Sequence, residues 1–156
     1  MRIVVLLLAL SVALLADFTG RVIGISDGDT IKVLTLSKEE VKIRLYGIDC
    51  PESKQAFGTV AKKFTGDEVF GKEVTVKVMA KDRYGRAVAM IYHDGGKCLN
   101  YEIVQAGLGW CYHQYNKDPK IEELEGKARS LKVGLWKDPA PIAPWEFRKK
   151  KLTGNF

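Results

Sequence analysis

The sequence predicts a mainly β fold of the α+β class, a five-stranded barrel carrying three helices, on three observations. Five short runs rich in β-branched residues are bounded by turn residues. Three stretches between and after them carry apolar residues at helical spacing or helix-start signals. All of them lie in 156 residues, a length for one domain, and a 46% hydrophobic content is enough to bury a core without metal or disulfide staples.

The first three strands fall between Thr19 and Ile48, as Val22 to Ile25, Thr30 to Leu34 and Val41 to Tyr46, with turn residues between them. In the third, period-two alternation puts Val41, Ile43 and Leu45 on one face and Lys42, Arg44 and Tyr46 on the other. Arg44 therefore points away from the apolar face. From Phe57 to Phe70 the spacing of Phe57, Val60, Ala61 and Phe64 predicts a helix, with Lys62 and Lys63 on its far side. Two more strands, Val74 to Val78 and Ala87 to Tyr92, are joined through Asp82-Arg83-Tyr84-Gly85-Arg86, and Asp94-Gly95-Gly96-Lys97 makes a tight turn.

Asn100 is the expected cap of a short helix that Gly107 ends. Asp118 followed by Pro119 starts a better-marked helix, with Ile121, Leu124, Ala128 and Leu131 as its buried stripe and Gly134 as its end. Trp110, Trp136 and Trp145 are expected to pack in the core or anchor the tail. His93, beside the Asp94-Gly95 turn, is expected at the surface. Five short strands interrupted by helices suggest a barrel of the OB type, a pattern that other α+β folds share. No internal repeat or second domain is visible.

Residues 1–16 stand apart. Arg2 precedes an apolar run broken only by Ser11, shorter than the roughly 20 residues a spanning helix needs. This is the pattern of a secretory signal peptide, with Ala13 and Ala16 as candidate cleavage positions, and uncleaved it would tether the chain to a membrane. The expected division is thus a leader over 1–16, the folded domain over 17–147 and a basic tail over 148–156, whose run Arg148 to Lys151 is read as solvated and frayed, with contact to a polyanion backbone as the alternative. Net charge is +6 and favours polyanions weakly. Cys50, Cys98 and Cys111 cannot all pair within one chain and match no zinc or redox spacing. Either Cys98 and Cys111 bridge in an oxidising compartment, or all three are buried thiols packed as small apolar groups.

The segment richest in chemistry is Asp27-Gly28-Asp29-Thr30, followed by Arg44 at the end of the third strand and then Asp49-Cys50-Pro51-Glu52. Taken singly, Asp-Gly-Asp is an ordinary turn and Asp-Cys-Pro-Glu an ordinary helix entrance. Together, Asp29 and Asp49 offer carboxylates from separate turns to a hard cation, and Glu52, Arg44 and Arg86 supply what phosphodiester hydrolysis needs: a group for water and cations for phosphoryl oxygens.

Val22-Ile23-Gly24-Ile25-Ser26-Asp27-Gly28-Asp29-Thr30, Ile43-Arg44-Leu45-Tyr46-Gly47-Ile48-Asp49-Cys50-Pro51-Glu52 and Asp82-Arg83-Tyr84-Gly85-Arg86 resemble, in order, the three active-site motifs of the staphylococcal nuclease or thermonuclease family. Similarity continues through Leu99-Asn100-Tyr101-Glu102, Val104 to Leu108 and Gly134-Leu135-Trp136, so that it covers roughly residues 18–147. The resemblance implies an OB-type barrel with three helices and a secreted, calcium-dependent endo- and exonuclease that cuts DNA and RNA to 3′-phosphate ends. It is expected to act as a monomer with no obligate protein partner.

By the same resemblance Asp29 and Asp49 would hold calcium with the backbone carbonyl of Cys50, and Asp27 would sit just outside the ion's contacts. Arg44 and Arg86 would bind the scissile phosphate, and Glu52 would be the general base or orient the water. The family has threonine where this chain has Cys50; the expected metal contact is through the backbone, so the change is expected to matter little, although a thiol there would bring a route to oxidation. Its nucleotide-binding tyrosine pair becomes His113 and Tyr115 here, and these, with Arg83 and Tyr84, are the expected nucleic-acid contacts. The alternatives are a non-catalytic nucleic-acid-binding barrel, against which all five motif side chains argue, and a barrel that binds oligosaccharide or a protein partner.

Overall fold

The computed structural model describes residues 16–154, so the leader falls, but for Ala16, outside the described residues. Strands β1 (Phe18–Asp27), β2 (Thr30–Thr35), β3 (Glu40–Leu45), β5 (Glu73–Lys81) and β6 (Ala87–His93) pair in the order β3-β2-β1-β5-β6. A parallel pairing of β3 with β6, Ile43 opposite Ala87 and Leu45 opposite Ala89, closes the five into a barrel. The small strand β7 (Lys97–Cys98) pairs antiparallel with β6, and β4 (Ile48–Asp49) pairs with β8 (Trp110–Cys111) as a separate ribbon. The expected OB-type barrel is borne out.

Alternation fills the barrel as the sequence pattern predicts: Val22, Ile31, Val33, Ile43, Leu45, Val74, Val76, Ala89 and Ile91 are buried in one apolar cluster. Helix α1 (Gly58–Val69) adds Ala61 and Val69 to it, and α2 (Leu99–Gln105) adds Leu99, Ile103 and Val104. Helix α3 (Pro119–Ser130) starts as expected, with the Asp118 carboxylate accepting from the Lys120 amide at 3.0 Å and proline in the first turn. A second, smaller cluster gathers Trp110, Trp136, Leu135, Ala128 and Ala143, with Trp145 against it. Arg129 lies 4.0 Å over Trp136 and 5.1 Å over Trp110, so a cation covers the indole faces.

Several expectations are corrected. Leu131 is 74% exposed, because α3 stops at Ser130 and the stripe ends at Ala128; Glu125 is buried instead and accepts from the Cys111 amide at 3.0 Å. Asn100 does not cap α2, whose cap position is Cys98. It sits buried inside the helix, its carbonyl oxygen accepting from the Ile91 amide (3.0 Å) and its amide donating to the Tyr46 and Ala89 carbonyls (3.0 and 3.2 Å). One side chain thereby fastens α2 to the barrel where β3 leaves it.

His93 is buried, not superficial: its Nε2 lies 2.6 Å from Glu102 and its Nδ1 3.2 Å from Asp94. The three cysteines are free buried thiols, with no Cys98–Cys111 bridge. A fourth helix, α4 (Pro144–Thr153), runs across the expected domain boundary at residue 147, so the chain from Arg148 to Lys151 is helical and not a frayed tail.

Candidate active site

The hairpin turn between β1 and β2 pairs Asp27 with Thr30 and leaves Gly28-Asp29 as its tip. Neighbouring elements fasten that tip. Thr65 of α1 donates to the Gly28 carbonyl at 2.6 Å, and the Leu45 amide of β3 to the Asp29 carbonyl at 2.8 Å. Gly28 is required by space: a Cβ there would lie 2.8 Å from the Ala61 Cβ and 3.0 Å from that of Cys50. The β2–β3 register sets Thr30 opposite Arg44, which brings the guanidinium beside Asp29.

β3 then turns through Tyr46-Gly47 into β4, and Asp49 arrives on the same guanidinium. Arg44 Nη1 lies 3.1 Å from Asp29 Oδ2 and Nη2 lies 2.8 Å from Asp49 Oδ1. Asp29 also accepts from the Cys50 amide (2.6 Å) and from the Thr30 hydroxyl (3.1 Å). Asp29 is 6% exposed and Asp49 1%, a depth at which carboxylates require cationic partners. Burial pushes the Asp49 carboxyl above the usual value although Arg148 and Arg44 both pull it down, so further positive charge at this point would be stabilising.

Glu52 follows on the loop into α1. Its amide donates to the Gln55 side chain at 3.1 Å, and its carbonyl accepts from the Gln55 amide at 2.8 Å. Gly58 holds this loop close: a Cβ there would stand 1.9 Å from the Glu52 carbonyl oxygen. Any larger residue at 58 would displace the backbone that aims Glu52.

Arg86 comes from the β5–β6 loop, where its Nε lies 2.6 Å from Asp82 Oδ2 and its amide donates to Asp82 Oδ1 at 2.9 Å. Burial works to raise the Asp82 carboxyl, but the Arg86 and Tyr84 donors outweigh it and hold the group below the ordinary carboxylate value. Tyr84 is an exposed ring at the loop tip, with the Arg83 guanidinium 4.9 Å and that of Arg86 5.6 Å from its centroid.

Asp27, Asp29, Arg44, Asp49, Cys50, Glu52, Arg83, Tyr84, Arg86 and Tyr115 all line one cleft of about 740 Å³. Asp27 is held at its side by the Ser53 hydroxyl, 2.9 Å away. The exception is His113. It lies outside the cleft lining, its Nδ1 3.2 Å from Glu122 of α3 and 3.7 Å from the Cys111 sulfur. The segment after β8 is a turn, closed by the Tyr115 and Asn116 amides donating to the Tyr112 carbonyl at 2.8 Å, and it leaves Tyr112 on the cleft face, packed edge-on to Tyr115 at 4.8 Å and stacked on Trp145 at 5.3 Å. The aromatic pair at the cleft is therefore Tyr112 and Tyr115.

Burial raises the Cys50 thiol well above its usual value, and the neighbouring Asp29 and Asp49 charges add to the effect. A buried neutral thiol is a poor nucleophile toward oxidants, so the expected oxidation sensitivity loses its physical basis. The donors that face the cleft are carboxylate oxygens on fixed turns, a set that fits a hard cation such as calcium.

Arg148 also lines the cleft, a residue that the sequence marks only as part of a basic run. Arg148 reaches in from α4, with Nη2 2.7 Å from Asp49 Oδ2, Nη1 3.3 Å from Asp49 Oδ1, and Nη1 2.7 Å from Glu52 Oε1. Trp145, one turn back on the same helix, locks that helix against Trp110 and Tyr112.

A family model described as staphylococcal nuclease homologue matches residues 42–138. A protein of Escherichia coli described as an uncharacterized endonuclease is 44% identical over 138 residues, covering 88% of this chain and 90% of its own length. A micrococcal nuclease of Shigella flexneri is 41% identical over 91% of this chain and 87% of its own. The staphylococcal-like nuclease CAN1 of Arabidopsis thaliana is 40% identical over 80% of this chain and 40% of its own.

Proposed function

The chain belongs to the staphylococcal nuclease family and is a nuclease, and from that premise we propose that it hydrolyses DNA and RNA in a calcium-dependent reaction, by direct attack of water, to 3′-phosphate ends. The observation that carries the proposal is the convergence of Asp29, Arg44, Asp49, Glu52 and Arg86 on one cleft. Asp29 and Asp49, with the backbone carbonyl of Cys50, would hold the ion, and Asp27 would stand just outside its contacts. Bound there, calcium supplies Lewis-acid polarisation of a phosphoryl oxygen and neutralises part of its charge.

The chain's own groups do the rest. Arg44 presents a planar fork to two oxygens of the scissile phosphate and stabilises the charge that develops on them. Glu52 orients the attacking water and accepts its proton as oxygen bonds to phosphorus. The bond from phosphorus to the 5′ oxygen breaks, Arg86 stabilises that departing oxygen, and the products carry a 3′-phosphate and a 5′-hydroxyl. No covalent enzyme intermediate is needed, and the buried thiols have no part in it. Tyr115 and Tyr112 offer faces on which a base can stack, and Arg83 and Tyr84 flank the strand's path.

Every one of these groups comes from a single chain, which supports action as a monomer. The apolar run over residues 1–16 supports export with removal of the leader. Among the described residues, no helix is long and apolar enough to cross a membrane.

Purified protein is expected to digest single-stranded DNA with calcium and to stop when excess chelator is added. Cleavage indifferent to chelator would sink the metal dependence. DNA binding without cleavage, whatever the divalent cation, would make the barrel a binding module.

A further inference from the structure

Arg148 engages two of the side chains on which hydrolysis is proposed to depend. Its guanidinium spans Asp49 and Glu52, with contacts of 2.7 Å to each. Together, Arg44 and Arg148 engage both oxygens of Asp49: Oδ1 accepts from Arg44 Nη2 and Arg148 Nη1, and Oδ2 from Arg148 Nη2. A divalent cation coordinated by Asp49 needs lone pairs of the same oxygens, and a guanidinium at hydrogen-bond distance would repel it across a few ångströms. Of the two arginines, Arg148 is the one free to yield. Its side chain is 39% exposed and held only on the cleft side, whereas that of Arg44 is 15% exposed and also tied to Asp29.

Yielding does not take Arg148 out of the cleft. Its helix is fixed there by Trp145, stacked on Tyr112 and edge-on to Trp110, so a freed Arg148 stays over the cleft that the strand must enter. Its fork suits paired phosphate oxygens as well as it suits paired carboxylates.

We propose, resting on the calcium-site assignment above, that Arg148 is a third arginine of the hydrolytic site: it competes with the divalent cation for Asp49 and, on giving up that carboxylate, binds a phosphate of the nucleic acid. The two halves have opposite signs in one variant. Removing Arg148 strengthens cation binding and weakens substrate binding. A merely structural role for Arg148 would weaken both, since a disturbed helix would loosen the whole cleft.

The test is calorimetric titration of calcium into the chelator-treated native chain, Arg148→Gln and Arg148→Lys, followed by the KM for single-stranded DNA at saturating calcium. The expected result for Arg148→Gln is calcium affinity about tenfold higher, the worth of one charge-assisted contact, with KM raised about threefold to tenfold. Arg148→Lys falls between Gln and the native chain. Calcium affinity equal to or lower than native in Arg148→Gln would overturn the competition, and an unchanged KM would overturn the phosphate contact. If the native chain binds no calcium, the calcium site itself is wrong, an outcome distinguishable from equal binding by both proteins.

Discussion

Glu52→Gln is expected to lower the cleavage rate by about a thousandfold, within the range for loss of a positioned general base. The substitution preserves length and shape and leaves an oxygen that can still accept from Arg148, as Glu52 Oε1 does at 2.7 Å. The loop that aims the side chain is held by Gln55 and by the close approach of Gly58, and neither depends on the carboxylate charge. Calcium and DNA affinities should therefore stay within about threefold of native while proton acceptance from water is lost. Single-turnover digestion at saturating calcium reads the chemical step apart from binding. A loss of tenfold or less would remove Glu52 from its proposed role and leave water activation to another group.

Arg44→Lys keeps the charge and is expected to cost on the order of a hundredfold in kcat, since a lysine ammonium cannot offer two fixed donors to one phosphate. The same residue has a second duty that sharpens the expectation. Its two terminal nitrogens reach Asp29 at 3.1 Å and Asp49 at 2.8 Å, and so set the spacing of the proposed calcium carboxylates. Lysine reaches only one of them, so the spacing of the two carboxylates is lost, and calcium affinity should fall along with the rate. Near-native kcat would exclude Arg44 from transition-state stabilisation. A loss confined to calcium affinity would make it a spacer of the carboxylates and nothing more.

The fold was legible because its determinants are local. Alternation marks Val41, Ile43 and Leu45 as the buried face of β3, and the burial of Ile43 and Leu45 follows it. Arg44, on the other face, is delivered to Asp29 by an antiparallel register that also pairs Thr30 with it. The motif residues Asp29, Arg44, Asp49, Glu52 and Arg86 thus meet where turn chemistry and alternation together send them.

What was not legible depends on contacts distant in sequence. Arg148 lies 99 residues from Asp49, inside a run of cations that looks like a solvated end until Trp145 docks its helix. The local signals for that helix are Pro144 at its start, Glu146 in its first turn, Lys150 and Lys151 in its last and Gly154 at its end. Position in a motif points to His113, but the turn closed on the Tyr112 carbonyl sends Tyr112 and Tyr115 to the cleft and His113 away from it. Asn100 resembles a helix cap in one dimension, whereas its partners lie on β6 and in the turn that leaves β3. His93 sits next to a turn, and burial comes from Glu102 on a helix that sequence pattern alone does not place against it.

The most direct test of direct attack by water is a digestion of single-stranded DNA with calcium in heavy-oxygen water, with mass analysis of the product ends. The expected result is one heavy oxygen per cut, carried on the 3′-phosphate, with 5′-hydroxyl ends unlabelled. Label on a 5′-phosphate would mean that the other ester bond breaks. A 3′-phosphate without label from solvent would mean that something other than water attacks phosphorus. Either result would contradict the arrangement of Glu52, Arg44 and Arg86 proposed here.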